Sequence, residues 1–340
     1  MTSASPQPAA DPSCPDPSRS APADRIAPLD AVDISDATPG AETTGRRGIS
    51  GAVWGALGIV YVVWGSTYLA IRVVVETMPP FLSGSMRFVA AGLVLAALIA
   101  VRQGPAALLV RPRELASAAV VGVLLLVGGN GLVVLAEQSV PSGLTALMVA
   151  SVPLWVVVLR RLTGHRTPLS TLGGVLVGLL GLAVLSAPGL TGEVRLLGLV
   201  AVLVAALLWA CGSVLAGRLP MPANPLTASV YEMLAGGVGA LVLAFVRHEP
   251  QGFHPASVST ASWAGLAYLV VFGSLVAFSA YAWLLQRAPL PLVATYAYVN
   301  PVVAVLLGWL VLSEALTWPI VLGGAVVVAG VCLVVRTERR

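Results

Sequence analysis

Residues 52–74 read AVWGALGIVYVVWGSTYLAIRVV, a run of 23 residues interrupted by one charge, Arg72. At 1.5 Å per residue a helix of this length reaches about 34 Å, enough to cross the ~30 Å hydrocarbon layer of a bilayer. The run ends at Met78-Pro79-Pro80, which stops one helix and starts another. The same grammar repeats towards the C-terminus. Further apolar runs fall at 80–101, 115–136, 142–162, 168–187, 196–217, 226–246, 261–285, 290–312 and 317–335. Breaks such as Gln103-Gly104-Pro105, Val140-Pro141-Ser142, Ala187-Pro188-Gly189 and Ala288-Pro289 separate them. The pattern predicts an all-α integral membrane protein with ten transmembrane helices.

Composition points the same way. The 340 residues are 57% apolar and 10% charged, where a soluble domain carries roughly 25% charged residues. So few charges cannot cover a water-soluble fold of this length. Residues 1–47 differ: they hold eight of the 25 prolines and seven acids, including every aspartate. They read as a disordered Pro/Asp-rich cytoplasmic tail, without the basic start and apolar core of a signal peptide.

Arginine sets the orientation. With the N-terminus inside, the inner segments hold thirteen arginines: 46, 47, 102, 111, 113, 160, 161, 166, 218, 287, 336, 339 and 340. The outer loops hold Arg195 and Arg247. This bias predicts a multi-pass protein of the cell (plasma or inner) membrane with both termini cytoplasmic and the lipid bilayer as its surroundings. The arginines are scattered through short loops, so no nucleic acid is expected as a partner. Cys14, Cys211 and Cys332 show neither metal spacing nor a disulfide framework. No metal and no cofactor are expected.

The two halves match in order. Trp64-Gly65-Ser66 aligns with Trp209-Ala210-Cys211, and Arg87 with Glu232, at an offset of 145. Gln138, Pro141 and Pro153 meet Gln286, Pro289 and Pro301 at 148, and Gly173-Gly174 meets Gly323-Gly324 at 150. Five spans per half make the second enter from the opposite face. Two repeats of inverted topology result, an arrangement that recurs in secondary transporters with the site near the midplane.

The stretch Val63-Trp64-Gly65-Ser66-Thr67-Tyr68-Leu69-Ala70-Ile71-Arg72, with Pro79-Pro80 and Met86-Arg87-Phe88, resembles the opening of an EamA domain of the drug/metabolite transporter superfamily. Ala136-Glu137-Gln138-Ser139-Val140-Pro141-Ser142-Gly143-Leu144 and Tyr296-Ala297-Tyr298-Val299-Asn300-Pro301 resemble its YedA-like branch. The resemblance spans about 52–335 and implies two EamA repeats, 52–190 and 196–336. It also implies transport of small metabolites, commonly amino-acid export. Two features depart from the pattern. Thr163-Gly164-His165-Arg166 stands where the family carries a Gly-Glu-Arg-like turn, leaving an acid only at Glu314, and the tail is extra.

Ionisable groups inside a membrane are costly and become functional candidates. Arg87 lies about 10 Å from the outer face, and Glu232 is similarly deep from the inner face. Together they suit a zwitterion, Arg87 taking a carboxylate and Glu232 an ammonium. Trp64, Tyr68, Asn130, Trp209, Tyr231, Tyr298 and Asn300 complete the candidate substrate-binding set, with Tyr296 a further mid-span aromatic. Arg72, Glu137 and Arg218 are candidates for gating or coupling; snorkelling and a solvated helix end are the plainer readings of Arg218 and Glu137. Proton antiport through Glu232 is one driving force, and facilitated diffusion is another.

An enzyme is not expected. No aspartate follows Asp36, and His165, His248 and His254 all fall in loops, so neither an intramembrane aspartyl pair nor a Ser–His dyad can form. The expected function is a secondary transporter, an exporter of small metabolites such as amino acids. The alternatives are an exporter or flippase of drugs and other amphipathic compounds, and a channel. A homo-oligomer stays open.

Overall fold

The computed structural model describes residues 1, 50–136, 138, 145, 148–164, 168–186, 196–303 and 318–338. The expected tail beyond Met1, Glu137 and Glu314 lie outside the described residues. Among those described, all regular structure is helical. The helices are α1 (Gly51–Val75), α2 (Pro80–Gln103), α3 (Pro112–Ala136), α4 (Val152–Leu162) and α5 (Leu169–Ser186). They continue as α6 (Leu196–Ala216), α7 (Pro225–Val246), α8 (Thr260–Arg287), α9 (Leu290–Val303) and α10 (Trp318–Glu338). All ten lie in one packed unit, Gly48–Arg340. Of these, α1, α2, α3, α7 and α8 are long and apolar enough to cross a membrane. Shorter apolar stretches run within α5, α6, α9 and α10. Leu93, Leu98 and Val101 of α2 and Val238, Val242 and Phe245 of α7 are exposed, which suits lipid as the surrounding solvent.

Prolines sit in the first turn of α2, α3 and α7, where the missing N–H costs no hydrogen bond and φ is preset. Ser50 Oγ accepts from Val53 N at the start of α1, and Asn224 Oδ1 accepts from Leu226 N (3.0 Å) at the start of α7. The N-cap of α2 is Pro79, which has no side-chain acceptor. Its first amides are met from the other half instead. Glu249 Oε2, beyond the end of α7, accepts from Phe81 N (3.0 Å) and Leu82 N (2.9 Å).

Helices at matching places in the two halves pack on each other: α2 on α7, and α5 on α10. Both pairs are antiparallel. Glu249 meets the start of α2, while Thr227 and Tyr231 in the first turns of α7 donate to Ala107 O and Leu108 O just beyond the end of α2. Along α5, Gly174 and Gly181 approach Val334 and Val327 of α10 in reverse order. Further contacts also join the halves, with α1 on α8, α6 on α3 and α4, and α7 on α3.

The last of these helices, α3 and α8, share an irregularity the sequence reading did not anticipate. Val123–Gly131 of α3 and Leu269–Phe278 of α8 are wound as π-helix. Such widened turns turn side chains and carbonyls away from regular α-helical directions and collect at functional sites. Both face the middle of the molecule.

Candidate functional site

Trp64 of α1 and Trp209 of α6, matched residues of the two halves, meet edge to face with centroids 5.5 Å apart. Tyr281 of α8 and Tyr296 of α9 close a four-ring cluster. Tyr296 lies 4.9 Å from Trp64, and Tyr281 lies 5.0 Å from Trp64 and 5.6 Å from both Trp209 and Tyr296. The polar edges are used: Trp64 Nε1 donates to Gly273 O (3.2 Å), Trp209 Nε1 donates to Tyr281 Oη (3.0 Å), and Ser213 Oγ lies 2.6 Å from the same hydroxyl. The π segment of α3 makes room for this. A Cβ on Gly129 would stand 2.5 Å from Trp209 Cε3.

Beside the rings lies a cavity of about 80 Å³, room for roughly half a dozen water-sized positions. Thr67, Tyr68 and Ile71 of α1 line it, with Arg87 of α2 and Gly129, Asn130 and Val133 of α3. The wall continues through Val149, Val152 of α4, Ala205 and Ala206 of α6, Gly273 and Phe278 of α8, and Asn300 of α9. Arg87 is 6% exposed; its Nε donates to Ser274 Oγ (2.8 Å) and its guanidinium carbon lies 4.8 Å from the Phe88 ring centroid. A Cβ on Gly273 would stand 2.8 Å from an Arg87 guanidinium nitrogen, so the bare backbone of α8 admits this side chain. Asn300 donates its amide to Tyr61 O (3.2 Å) and Tyr296 O (3.0 Å), which braces α9 against α1.

Of the candidate binding residues, Trp64, Tyr68, Arg87, Asn130, Trp209 and Asn300 line this one cavity. Three others lie elsewhere. Glu232 of α7 is 1% exposed and sits where α7 touches α3, because Gly122 lets the two backbones meet: a Cβ there would stand 2.2 Å from Glu232 O. Its Oε2 has no hydrogen-bond partner among the described residues. Arg87 thus lines this cavity and Glu232 does not. Tyr231, near the start of α7, bonds Leu108 O. Tyr298 packs on Gly178 of α5 in a separate core with Val175, Val327 and Val334. Arg72 and Arg218 are exposed at the ends of α1 and α6, where Arg218 bonds Thr163 Oγ1.

The model of the EamA-like transporter family matches residues 49–187 and again 196–336. The chain belongs to the EamA-like transporter family. The Escherichia coli protein named "Uncharacterized inner membrane transporter YedA" is 40% identical over 258 residues, covering 75% of this chain and 81% of that one. A Bacillus subtilis protein named "Uncharacterized transporter YoaV" is 25% identical, covering 81% and 94%. One protein crystal structure shares the fold at a TM-score of 0.70 and 21% identity, covering 85% of this chain and 98% of that one. The chain is thus a multi-pass membrane protein whose relatives are transporters.

Within this EamA-like frame, the residues missed from sequence include Tyr281 at the rings, Thr67, Gly273 and Phe278 on the cavity wall, and Ser274, which holds Arg87. One signal was present. Tyr296 and Asn300 are four apart and share a helix face, whereas Tyr298 is two residues from each and points away.

Proposed function

We propose that this EamA-like chain is a secondary transporter that exports small metabolites, amino acids among them, across the cytoplasmic membrane. Two five-helix repeats of inverted topology, in ten spans with both termini cytoplasmic, would rock around a central site. The observation that carries this reading is the cavity at the meeting point of Trp64 and Trp209, matched residues of the two halves. The antiparallel packing of α2 on α7 and α5 on α10 supports an inverted pair. The touching rings close one side of the cavity, which favours a carrier over an open pore. With the N-terminus inside, Ile71 and Asn130 lie on the outer side of the rings, so the cavity faces outwards.

In this reading Arg87 holds an anionic group of the substrate, Asn130 and Tyr68 orient it, and the rings form the inner gate. Arg72 and Arg218 stand at opposite mouths. Glu232, enclosed between α7 and α3, is the candidate for proton coupling rather than for substrate contact. The aromatic cluster also suits the second reading, export of amphipathic compounds.

The test is mass spectrometry of the medium from cells overproducing the protein, beside an empty vector and an Arg87→Ala variant. Selective accumulation of one metabolite, lost in the variant, is expected. No change in the medium, together with no uptake by reconstituted vesicles, would end the transporter reading.

A further inference from the structure

We infer that the central cavity selects solutes of net charge −1, a carboxylate on a compact apolar body, over zwitterions and cations. This rests on the proposed transport reading and narrows its small metabolites to monocarboxylates, with neutral amino acids as the disfavoured class. Among the described wall residues Arg87 is the one ionic side chain, and no carboxylate stands with it. The acid at the matching place in the other half, Glu232, belongs to the α3–α7 contact and not to the wall. A guanidinium enclosed among helices without a counterion is unfavourable. A bound carboxylate supplies that counterion, with the planar fork geometry that guanidinium matches.

The Arg87 side chain is built for this. Ser274 Oγ holds Nε at 2.8 Å, and the bare backbone of Gly273 leaves the terminal nitrogens room at the cavity wall. The Asn130 side chain makes no hydrogen bond among the described residues and lines the same cavity, ready for a second polar group on the ligand. A zwitterion would bring an ammonium for which the wall has no acid. Trp64 and Tyr296 are already engaged in edge-to-face contacts within the ring cluster. Ile71, Val133 and Val152 give the wall an apolar stretch for the body of the ligand, beside the polar Thr67, Tyr68 and Asn300.

The experiment is calorimetric titration of the purified full-length protein in lipid nanodiscs with two isosteric series. One is propionate, propanol, alanine and propylamine; the other is benzoate, benzyl alcohol, phenylalanine and benzylamine. At least one acid should bind about tenfold or more tightly than its zwitterion, a margin of about 1.4 kcal/mol, with no binding of the amine. Arg87→Gln should remove that preference. Asn130→Asp, which adds a carboxylate to the wall without touching Arg87, should reverse it in favour of the amino acid. Equal or tighter binding of the zwitterion or amine by the unaltered protein overturns the assignment, as does no binding of either acid. So does acid binding unchanged in Asn130→Asp. Vesicle uptake of the bound acid separates the two readings. Binding without uptake keeps the anion site and ends the transport reading; uptake of the amino acid in preference to the acid does the reverse.

Discussion

On one side of the Trp64–Trp209 pair stand Tyr281 and Tyr296; on the other lies the cavity that Val133 lines. The offset of 148 that matches Pro141 to Pro289 also matches Val133 to Tyr281 and Met148 to Tyr296. The backbones answer each other, down to the π segments of α3 and α8. The side chains do not. Two tyrosines fill the second half's side to contact distance, while Val133 borders open space. In the proposed alternating-access reading the matched scaffold would set up two alternative closures, and side-chain volume would decide which one is made. The charges repeat the lesson. Arg87 finds Ser274 on α8, whereas the residue matched to Ser274 on α3 is Leu126, so the corresponding neighbour of Glu232 has no hydroxyl to offer.

Tyr281→Val should make the filled side resemble the open one and have the largest effect. Losing a buried ring should cost about 3–5 kcal/mol, read by unfolding in detergent micelles; an unchanged midpoint would mean that the rings do not close this side. Val133→Tyr places a ring on the open side. It should lower the affinity for the best-bound solute by about tenfold or more, with about 1–3 kcal/mol of strain from overpacking. Retained affinity would show that the cavity is not where solute sits. Tyr281→Phe keeps the ring and removes the hydroxyl shared by Trp209 and Ser213. About 1–2 kcal/mol should be lost, with solute affinity little changed. The smallest contrast compares the caps of the matched helices α2 and α7. Asn224→Ala should cost about 1 kcal/mol, and Glu249→Gln, which keeps an acceptor and loses the charge, should cost less. A larger loss from Glu249→Gln would make the cross-half cap the more important of the two.

Much of this was legible in the sequence, because lipid imposes simple rules. Length, proline breaks and apolar runs mark the helices, and the ordered Trp, Gln, Pro and Gly-Gly matches fall within the two stretches that the family model matches. Trp64, Trp209, Arg87, Asn130 and Asn300 could be selected since each is a polar or aromatic group too deep to be idle. Selecting by depth alone fails where rotation about the helix axis decides, which is why Tyr298 and Glu232 fall outside the cavity. Tyr281 was hidden because its match is a valine, so the repeat that exposed Trp209 gave it no emphasis. The π segments left no composition signal beyond Gly128-Gly129-Asn130-Gly131, whose glycines read equally well as close-packing positions.

The cap that Glu249 places on α2 links the two ends of biosynthesis. The ribosome makes the Phe81 and Leu82 amides more than 160 residues before the carboxylate that accepts from them. Until then, the first half waits in the membrane with an unfinished helix start and with the α7-facing surface of α2 bare. The first half alone therefore leaves the start of α2 without this acceptor and its α7-facing surface uncovered. Tandem duplication in one polypeptide answers this need, since the missing partner always follows on the same message and in equal amount.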